Sequence, residues 1–371
     1  MKKNCLFFLF VMVCTSVLLF SCGKDDPDPE PEPTPVNPTP EPPEPEPVPT
    51  WKDAAGTFKS DDGTLKLTLS DKDVAGAATK TATLAVGTGE SAKITLTNIV
   101  PDDATVEIDN VTVTKDGDNK CTFSGEATVD GTVISVAGAL TGITESSKAL
   151  SLNVTRKITS PLAGDWGLSF NAAGADVAIN VKTGDAATDG ILNTAVGPML
   201  GGLLAQKVED VTLTLGEDGK FDVTWQETGK DEPSGMPDAI KAMVSIYYFV
   251  SDGKVYVALD KSLLALLSVV MPEIPWGIDL NELIAMIAED KGDFIALPLQ
   301  AAQDENKATF SVGKGLVSVL LPILTPLLEG SLPAEVPEFV GQLIQNLPII
   351  AANAETFDVG LGFKKIVLTT Y

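Results

Sequence analysis

Between residues 51 and 159, apolar and polar side chains alternate in short runs. The runs TLKLTLS (64–70), AKITLTN (92–98) and KALSLNV (148–154) each place leucine, isoleucine or valine at every second position. Alternation with a period of two is typical of a strand with one buried and one solvated face. Polar turns that contain glycine separate the runs, so the pattern predicts seven or eight antiparallel strands, arranged as a barrel or a sandwich.

From residue 160 onward, strand-like runs such as EDVTLTLG (209–216) are mixed with longer apolar runs. Residues 191–204 place their apolar side chains along one helical stripe and small residues on the opposite face. We expect Pro322 and Pro326 to interrupt the longest apolar run. The pattern therefore predicts an α+β module that carries several apolar helices, at 191–204, 262–271, 315–328 and 340–350.

A helix that is apolar on every side must be covered on every side. The helices of the second module can pack as a filled layer under a sheet, or they can form the wall of an apolar cavity for a lipid-like ligand. Insertion into a membrane surface is a third option, but interfacial helices carry basic flanks and these helices have few. The sequence leaves open whether the helices fill or enclose a space.

The two modules begin with a similar motif. Ala55-Gly56-Thr57-Phe58 opens the first, and Ala163-Gly164-Asp165-Trp166 opens the second. A strand, a glycine turn and another strand follow each motif. We interpret the two modules as a diverged internal repeat.

The first 21 residues have the pattern of a secretory signal. Two lysines precede an uncharged apolar stretch at 5–20, which is shorter than the roughly 20 residues that a spanning helix needs. The end of this stretch, Leu19-Phe20-Ser21-Cys22, resembles the lipobox of bacterial lipoproteins. That resemblance implies cleavage before Cys22 and acylation of Cys22, the alternative being an ordinary signal with a chance cysteine.

The residues that follow Cys22 predict an export signal and a spacer. Lys24-Asp25-Asp26 resembles the lipoprotein export signal of Bacteroidetes, which implies an outer-membrane lipoprotein facing the cell exterior. Twelve prolines follow between residues 27 and 49, alternating largely with acids and threonine. Proline fixes φ and removes backbone donors, so 22–50 is predicted to be a lipidated, extended polyproline linker. The domain boundaries that follow are 1–21, 22–50, 51–159 and 160–371.

The strands of the first module carry a further resemblance. Gly56-Thr57-Phe58, Leu96-Thr97-Asn98, Val111-Thr112-Val113 and Phe123-Ser124-Gly125 are similar in order and type to motifs of the calycin-like β-barrel domains of Bacteroidetes lipoproteins. The resemblance implies a calycin-like barrel and no particular activity.

Composition excludes several functions. The net charge is −25 and Arg156 is the only arginine, so the basic stripes that nucleic-acid binding requires are missing. The sequence has no histidine, which removes the commonest zinc ligand and every Ser-His or Cys-His arrangement. Cys121 is the only cysteine outside the signal and the lipobox, so we interpret it as a small buried hydrophobe.

Motifs give no support for an enzyme. Lys182-Thr183-Gly184 and the S-x-x-K run 311–314 match penicillin-binding signatures, but in reversed order and without the third element. Asp116, Asp118 and Asn119 lack the glutamate of a calcium loop, which favours a hairpin turn. We therefore expect no catalysis, no cofactor and no metal.

The sequence favours a non-enzymatic binding module for a hydrophobic or glycan ligand. The alternative is a structural or protein-interaction lipoprotein, accessory to an outer-membrane complex with a protein partner. Large aromatic residues are scarce in the second module, so they are the candidate ligand contacts, with core packing as the alternative use of each. These residues are Trp166, Trp225, Tyr247, Tyr248 and Trp276.

Overall fold

The protein is mainly β, with 54% strand against 19% helix, in a computed structural model. Its strands form two large, mostly antiparallel sheets, one from residues before 159 and one from residues after it. The structure describes residues 50–73, 79–88, 90–102, 105–235, 246–261, 273–274, 278–279, 288–291, 293–329 and 338–367.

The first sheet has nine strands in the order β1-β4-β5-β6-β7-β8-β9-β2-β3. A short 3₁₀ helix, Trp51–Ala54, precedes it. The strands are β1 (Gly56–Lys59), β2 (Leu65–Leu69), β3 (Lys72–Asp73), β4 (Thr81–Val86), β5 (Ala92–Thr97), β6 (Thr105–Lys115), β7 (Lys120–Val129), β8 (Thr132–Thr141) and β9 (Ala149–Ile158).

The first sheet is a nearly closed, barrel-like sheet. β1 lies at one end, and β2 lies near the other end beside the short terminal strand β3, although β1 and β2 follow each other in the chain. β1 pairs antiparallel with β4, and β2 pairs parallel with β9. The short turn between them is fixed by Thr64, whose hydroxyl accepts a hydrogen bond from the Lys59 amide at 2.9 Å. The carbonyl of Thr64 accepts a second from the Leu150 amide at 2.8 Å.

Strand β6 bends in the middle. Val106 and Ile108 are buried on one side of the bend and Val111 on the other, with Asn110 at φ 55° between them. The pairing with β5 shifts register at the same place. A bulge of this kind turns the strand and changes which residues face inward, and it accounts for the shift of phase in the run TVEIDNVTV.

The second sheet has eleven strands. Nine follow the order β16-β15-β14-β10-β24-β23-β22-β18-β17, while β13 pairs with β24 and β21 pairs with β22. The strands are β10 (Gly164–Leu168), β13 (Val177–Lys182), β14 (Val208–Leu215), β15 (Phe221–Glu227), β16 (Ser234–Gly235), β17 (Tyr247–Ser251), β18 (Lys254–Asp260), β21 (Glu289–Lys291), β22 (Phe294–Asp304), β23 (Lys307–Val312) and β24 (Thr356–Lys365). Two hairpins lie outside the sheet: β11 (Phe170–Asn171) with β12 (Gly174–Ala175), and β19 (Glu273–Ile274) with β20 (Ile278–Asp279).

The second sheet also curls toward closure. Tyr247 in β17 forms a bridge with Lys220, in the turn that joins β14 and β15. The Phe221 amide donates to the Ile246 carbonyl and the Tyr248 amide donates to the Gly219 carbonyl, both at 2.8 Å.

Beyond the 3₁₀ helix at Trp51–Ala54, longer helical stretches occupy two segments of the described chain. The first runs from α1 (Ala186–Ile191) through a π-helical turn (Leu192–Val196) into α2 (Gly197–Ala205), where the stripe at 191–204 predicted a helix. The second contains α3 (Lys314–Glu329) and α4 (Glu338–Asn353). The run at 262–271 lies outside the described residues.

The expectation that Pro322 and Pro326 interrupt the apolar run was wrong. α3 continues across both positions. Each proline removes only one i to i−4 backbone hydrogen bond, and α3 packs in a core through Leu316, Val317 and Leu321. That packing outweighs the two lost bonds.

Side chains from both sheets fill the interior of the first sheet. Its aliphatic core also contains side chains from β17, β18 and β22 of the second sheet: Tyr247, Phe249, Tyr256, Ala258, Phe294 and Ala296. The opposite faces of these strands belong to a second core, which includes Tyr248, Val255 and Leu299. These three strands therefore form a wall with both faces buried, shared by the two sheets.

Polar contacts join the sheets beside this wall. The Lys80 ammonium, which precedes β4, lies 3.1 Å from an Asp260 carboxylate oxygen and 3.5 Å from one of Asp293. The guanidinium of Arg156 in β9 donates to the Gly219 carbonyl at 2.9 Å and the Tyr248 carbonyl at 3.3 Å. It also lies 5.1 Å from the centre of the Tyr247 ring. The contact between the two sheets is thus both apolar and charged.

A third core fills the space beneath the helices. It joins Leu192 and Val196 of the π turn to residues of α3, α4 and β24, among them Leu321, Ile344 and Phe357. In the described part of the chain, side chains of these helices pack directly against β24. The expected α+β module remains a prediction, because residues 262–271 are outside the described chain.

Candidate functional site

A cleft opens on the outer face of the second sheet, where β23 and β24 pair. Alternate residues of a strand face the same side, and in β24 the outward positions 360 and 362 are both glycine. Gly362 pairs with Thr309 and Gly360 pairs with Ser311. Gly362 lines the cleft, and its lack of a side chain leaves room for Asp176 above it, while the side chains of Thr309 and Ser311 cover Gly360.

An excursion of the chain builds one wall of the cleft. After β10 the chain leaves β24, forms the β11–β12 hairpin, and returns to β24 as β13. The Ser169 amide donates to the Gly362 carbonyl and the Gly362 amide donates to the Asp176 carbonyl, both at 2.8 Å. A side chain at position 362 would collide with the carboxylate of Asp176, so the excursion lies directly against Gly362.

The hairpin is fixed on its other side by helix α2. Gly174 of β12, at φ 125°, approaches the backbone of Gly201 so closely that neither position has room for a Cβ atom. The side chain of Asn171 accepts a hydrogen bond from the Ala173 amide at 2.8 Å. Phe170 is thereby held at the rim with 38% of its surface exposed.

Two lysines also line the cleft. Lys307 of β23 and Lys364 of β24 are direct cross-strand partners, and both are exposed. Like charges directly opposite each other destabilise a sheet. Among the residues that the structure describes, neither lysine forms an ion pair. The neighbouring Lys365 differs, because its ammonium donates to the Pro161 carbonyl at 3.0 Å and lies over the Trp166 ring.

The cleft has a volume of about 240 Å³. Pockets for whole drug-sized ligands hold roughly 300–1,000 Å³, so this cleft suits one ring or a short segment of a larger ligand. Its lining combines an exposed aromatic ring, two ammonium groups, one carboxylate, and hydroxyl and amide groups. These residues are Ser169, Phe170, Asn171, Asp176, Lys307, Ala308, Thr309, Gly362, Phe363 and Lys364.

The structure places four of the predicted aromatic contacts in the cores. Trp166 is fully buried and its indole N–H donates to the Leu162 carbonyl at 2.7 Å. Tyr247 donates to the Leu69 carbonyl at 3.3 Å, and Tyr248 donates to the Leu215 carbonyl at 3.4 Å. Trp225 is 2% exposed. Core packing accounts for their burial, and their role as ligand contacts remains a prediction.

Two predicted residues, Trp276 and Cys22, lie outside the described residues. The sequence reasoning did not single out Phe170, Lys307 or Lys364. A signal for the cleft was present in DVGLGFKK (358–365), where glycines at alternate strand positions mark a place that another group can approach closely. The lysine pair itself depends on the register between β23 and β24, which the sequence does not display.

Outside the cleft, burial shifts the pKa of two side chains. Burial raises the pKa of the Cys121 thiol to about 11 and also raises the pKa of Tyr248. Within the described chain no group of histidine, cysteine, aspartate or glutamate could hold a metal ion. No helix among the described residues is both long enough and apolar enough to cross a membrane.

Comparison with known proteins identifies no relative. No protein-family model matches the chain, and no curated protein or solved structure is detectably similar to it. The resemblance to calycin-like lipoproteins therefore remains a prediction from the motifs, and the cleft has to be interpreted from its own residues.

Proposed function

We propose that the protein is a non-enzymatic, lipid-anchored lipoprotein of the outer membrane that faces the cell exterior and binds a glycan. The first sheet would be a calycin-like barrel, and the second an α+β module that carries the binding site. The observation that carries the proposal is the exposed Phe170 ring at the rim of a cleft otherwise lined by polar groups.

The lining of the cleft matches the two surfaces of a sugar ring. One face of a sugar consists of C–H groups, which pack on an aromatic ring, while its edge carries hydroxyl groups. Asn171, Asp176 and Thr309 offer hydrogen-bond donors and acceptors for such an edge. A few polar groups around an apolar contact are the usual arrangement of a small-molecule site.

The filled interior of the first sheet favours a ligand site on the outer face of the second sheet over a site inside the first sheet. Its inward positions are occupied by large aliphatic side chains, including Ile94, Leu96, Ile108 and Ile134, all 1% exposed or less. A ligand-holding barrel needs an empty lumen. The proposal accordingly assigns the ligand to the outer face of the second sheet.

The presence of only one acid in the lining of the described cleft favours binding without hydrolysis. Glycoside hydrolysis requires a pair of carboxyl groups about 5 to 9.5 Å apart across the scissile bond. Asp176 is the only acid among the residues that line the described cleft. The cleft can therefore hold a sugar but lacks the second carboxyl group.

A glycan-binding assay on the full-length protein, extracted from membranes in detergent, tests the proposal. Phe170→Ala should weaken binding to the saccharides that the wild-type protein retains by about tenfold, the loss of roughly 1.4 kcal/mol of aromatic contact. Ile349→Ala is the matched control, because Ile349 is 61% exposed on α4 and does not line the cleft. Failure of the wild-type protein to retain any saccharide would refute the proposal.

The anchoring part of the proposal has its own measurement. Cys22→Ser should release the protein from membranes and remove the acyl mass from the mature N-terminus. Membrane association that persists in this variant, without an acyl group in the wild-type protein, would contradict lipid anchoring.

A structural or protein-interaction role is a second candidate, favoured by the shared wall of β17, β18 and β22. A rigid body made of two joined sheets suits a spacer or docking unit in an outer-membrane complex. Pull-down of the lipidated protein should then recover a stoichiometric membrane partner. Recovery of the protein alone would count against this role.

A further inference from the structure

The lysine pair in the cleft is unexpected in this chain. The sequence has 51 acids and 26 bases, and several other lysines of sheet strands lie beside carboxylates. Lys93 lies 2.6 Å from a Glu107 oxygen, and Lys182 lies 2.6 Å from a Glu355 oxygen. Lys307 and Lys364 instead face each other across a ladder, with no carboxylate of the described chain in ion-pair contact. Their repulsion is uncompensated there.

We propose that the ligand carries a carboxylate, and that the cleft selects an acidic saccharide such as a uronic acid through Lys307 and Lys364. This inference rests on the proposed glycan-binding function. A carboxylate between two ammonium groups accepts a charge-assisted hydrogen bond from each, and such bonds are about twice as strong as neutral ones. It would also remove the repulsion within the pair.

The position of Asp176 orients the ligand. Asp176 lies over Gly362, two residues along β24 from Lys364. At about 3.3 Å per residue, the backbone positions of Gly362 and Lys364 are roughly 7 Å apart along the strand. A sugar ring fits within that length. Its own carboxylate is repelled by Asp176 and attracted by the lysines, and its hydroxyl edge then meets Asp176.

The charges of the cleft and of the whole protein favour a ligand with one charged group over a polyanion. The cleft holds two ammonium groups and one carboxylate, so its net charge is about +1 in a protein whose net charge is −25. The overall field repels highly charged ligands. The cleft therefore favours a single carboxylate over a densely sulfated or phosphorylated chain.

Calorimetry with three probes tests the inference: galacturonic acid trisaccharide, the neutral galactose trisaccharide, and a sulfated galactose trisaccharide. The full-length protein should bind the galacturonic acid probe at least tenfold more tightly than the neutral one. Lys307→Gln with Lys364→Gln should abolish that preference. Lys66→Gln with Lys157→Gln is the matched control, since both are exposed lysines of the first sheet and their loss changes the net charge equally.

Salt provides a second readout. Raising the salt concentration from about 0.1 M to about 1 M shortens the screening length from about 10 Å to about 3 Å. The affinity for the acidic probe should fall toward that for the neutral probe, whose affinity should change little.

The outcomes separate this inference from the proposed function. If the acidic and neutral probes bind with equal affinity, and Phe170→Ala loses the binding of both, the carboxylate inference is overturned and glycan binding is left intact. Tighter binding of the sulfated probe would overturn the carboxylate assignment, and a preference that survives in the double glutamine variant would overturn the role of the lysine pair. If no probe binds, both proposals fail.

Discussion

Lys80 shows how strongly the environment of one residue determines its contribution to stability. Its side chain is 1% exposed, and its ammonium lies between the carboxylates of Asp260 and Asp293, which belong to the second sheet. Desolvating a charge costs several kcal/mol unless partners compensate it. Lys93 has the same arrangement, between Glu107 and Asp109, but its side chain is 32% exposed.

Lys80→Ala should therefore lower the free energy of unfolding by about 3–5 kcal/mol, because it removes the buried ammonium that lies beside the carboxylates of Asp260 and Asp293. Chemical denaturation of the full-length protein measures this. Lys93→Ala is the matched control and should leave the denaturation midpoint nearly unchanged, because water already screens that pair. Equal effects of the two substitutions would show that the buried cluster has no special role.

At the scale of elements, the contact between α2 and the β11–β12 hairpin depends on glycine. The Cβ of an alanine at position 201 would collide with the Ala175 carbonyl, and one at 197 would lie 2.6 Å from the Val177 carbonyl. The small face predicted for 191–204 therefore lies against the backbone of β12 and β13. This contact also holds Phe170 at the rim of the cleft.

Gly201→Ala should destabilise the protein by about 1–3 kcal/mol through overpacking and should weaken saccharide binding by displacing the hairpin. Gly190→Ala is the control, because Gly190 is exposed in α1 and nothing lies within 4 Å of the position a Cβ would occupy. It should raise stability by about 0.5–1 kcal/mol, as alanine favours the helix. Thermal unfolding measures both, and a stabilising Gly201→Ala would contradict the close contact.

The local elements were predictable because their signals are local. Alternation identified most strands of the first sheet, and the apolar stripe identified the helix at 191–204. Alternation reports which side chains are buried, but it does not report which strands pair. The parallel pairing of β2 with β9 was therefore not predicted. The run IYYFV (246–250) lacks alternation, and continuous apolar strands are typically buried on both faces; the structure shows this for β17.

The candidate site was less predictable than the fold. Trp166 and Tyr248 were predicted as ligand contacts because large aromatic residues are scarce in the second module. A large aromatic residue is, however, as useful in a core as in a binding site. The cleft arises from the register of β23 with β24 and from the excursion between β10 and β13. Both are long-range pairings, and no local pattern of residues specifies them.

At the scale of the whole molecule, the wall of β17, β18 and β22 makes the two sheets depend on each other. Tyr247 and Phe249 fill the first core from a strand of the second sheet. Lys80 and Arg156 add polar contacts between the sheets. The two sheets are therefore expected to unfold as one unit.

Hydrogen exchange by mass spectrometry tests this expectation with Tyr247→Ala. Truncating a buried aromatic side chain costs about 3–5 kcal/mol, and the loss should accelerate exchange in β5 of the first sheet as well as in β22 of the second. Ile349→Ala, on the exposed face of α4, should change neither. Faster exchange confined to the second sheet would indicate that the two sheets unfold separately.

The parallel pairing of β2 with β9 also determines when the first sheet can be completed. Thr68 of β2 bonds to Asn153 of β9, which lies 85 residues further along the chain. Contacts at such separations form late, because the loop-closure entropy must be overcome first. During synthesis from the N-terminus, β2 therefore remains without its β9 partner until β9 has been made. The chain emerges with an open strand edge, and exposed edges of this kind invite aggregation.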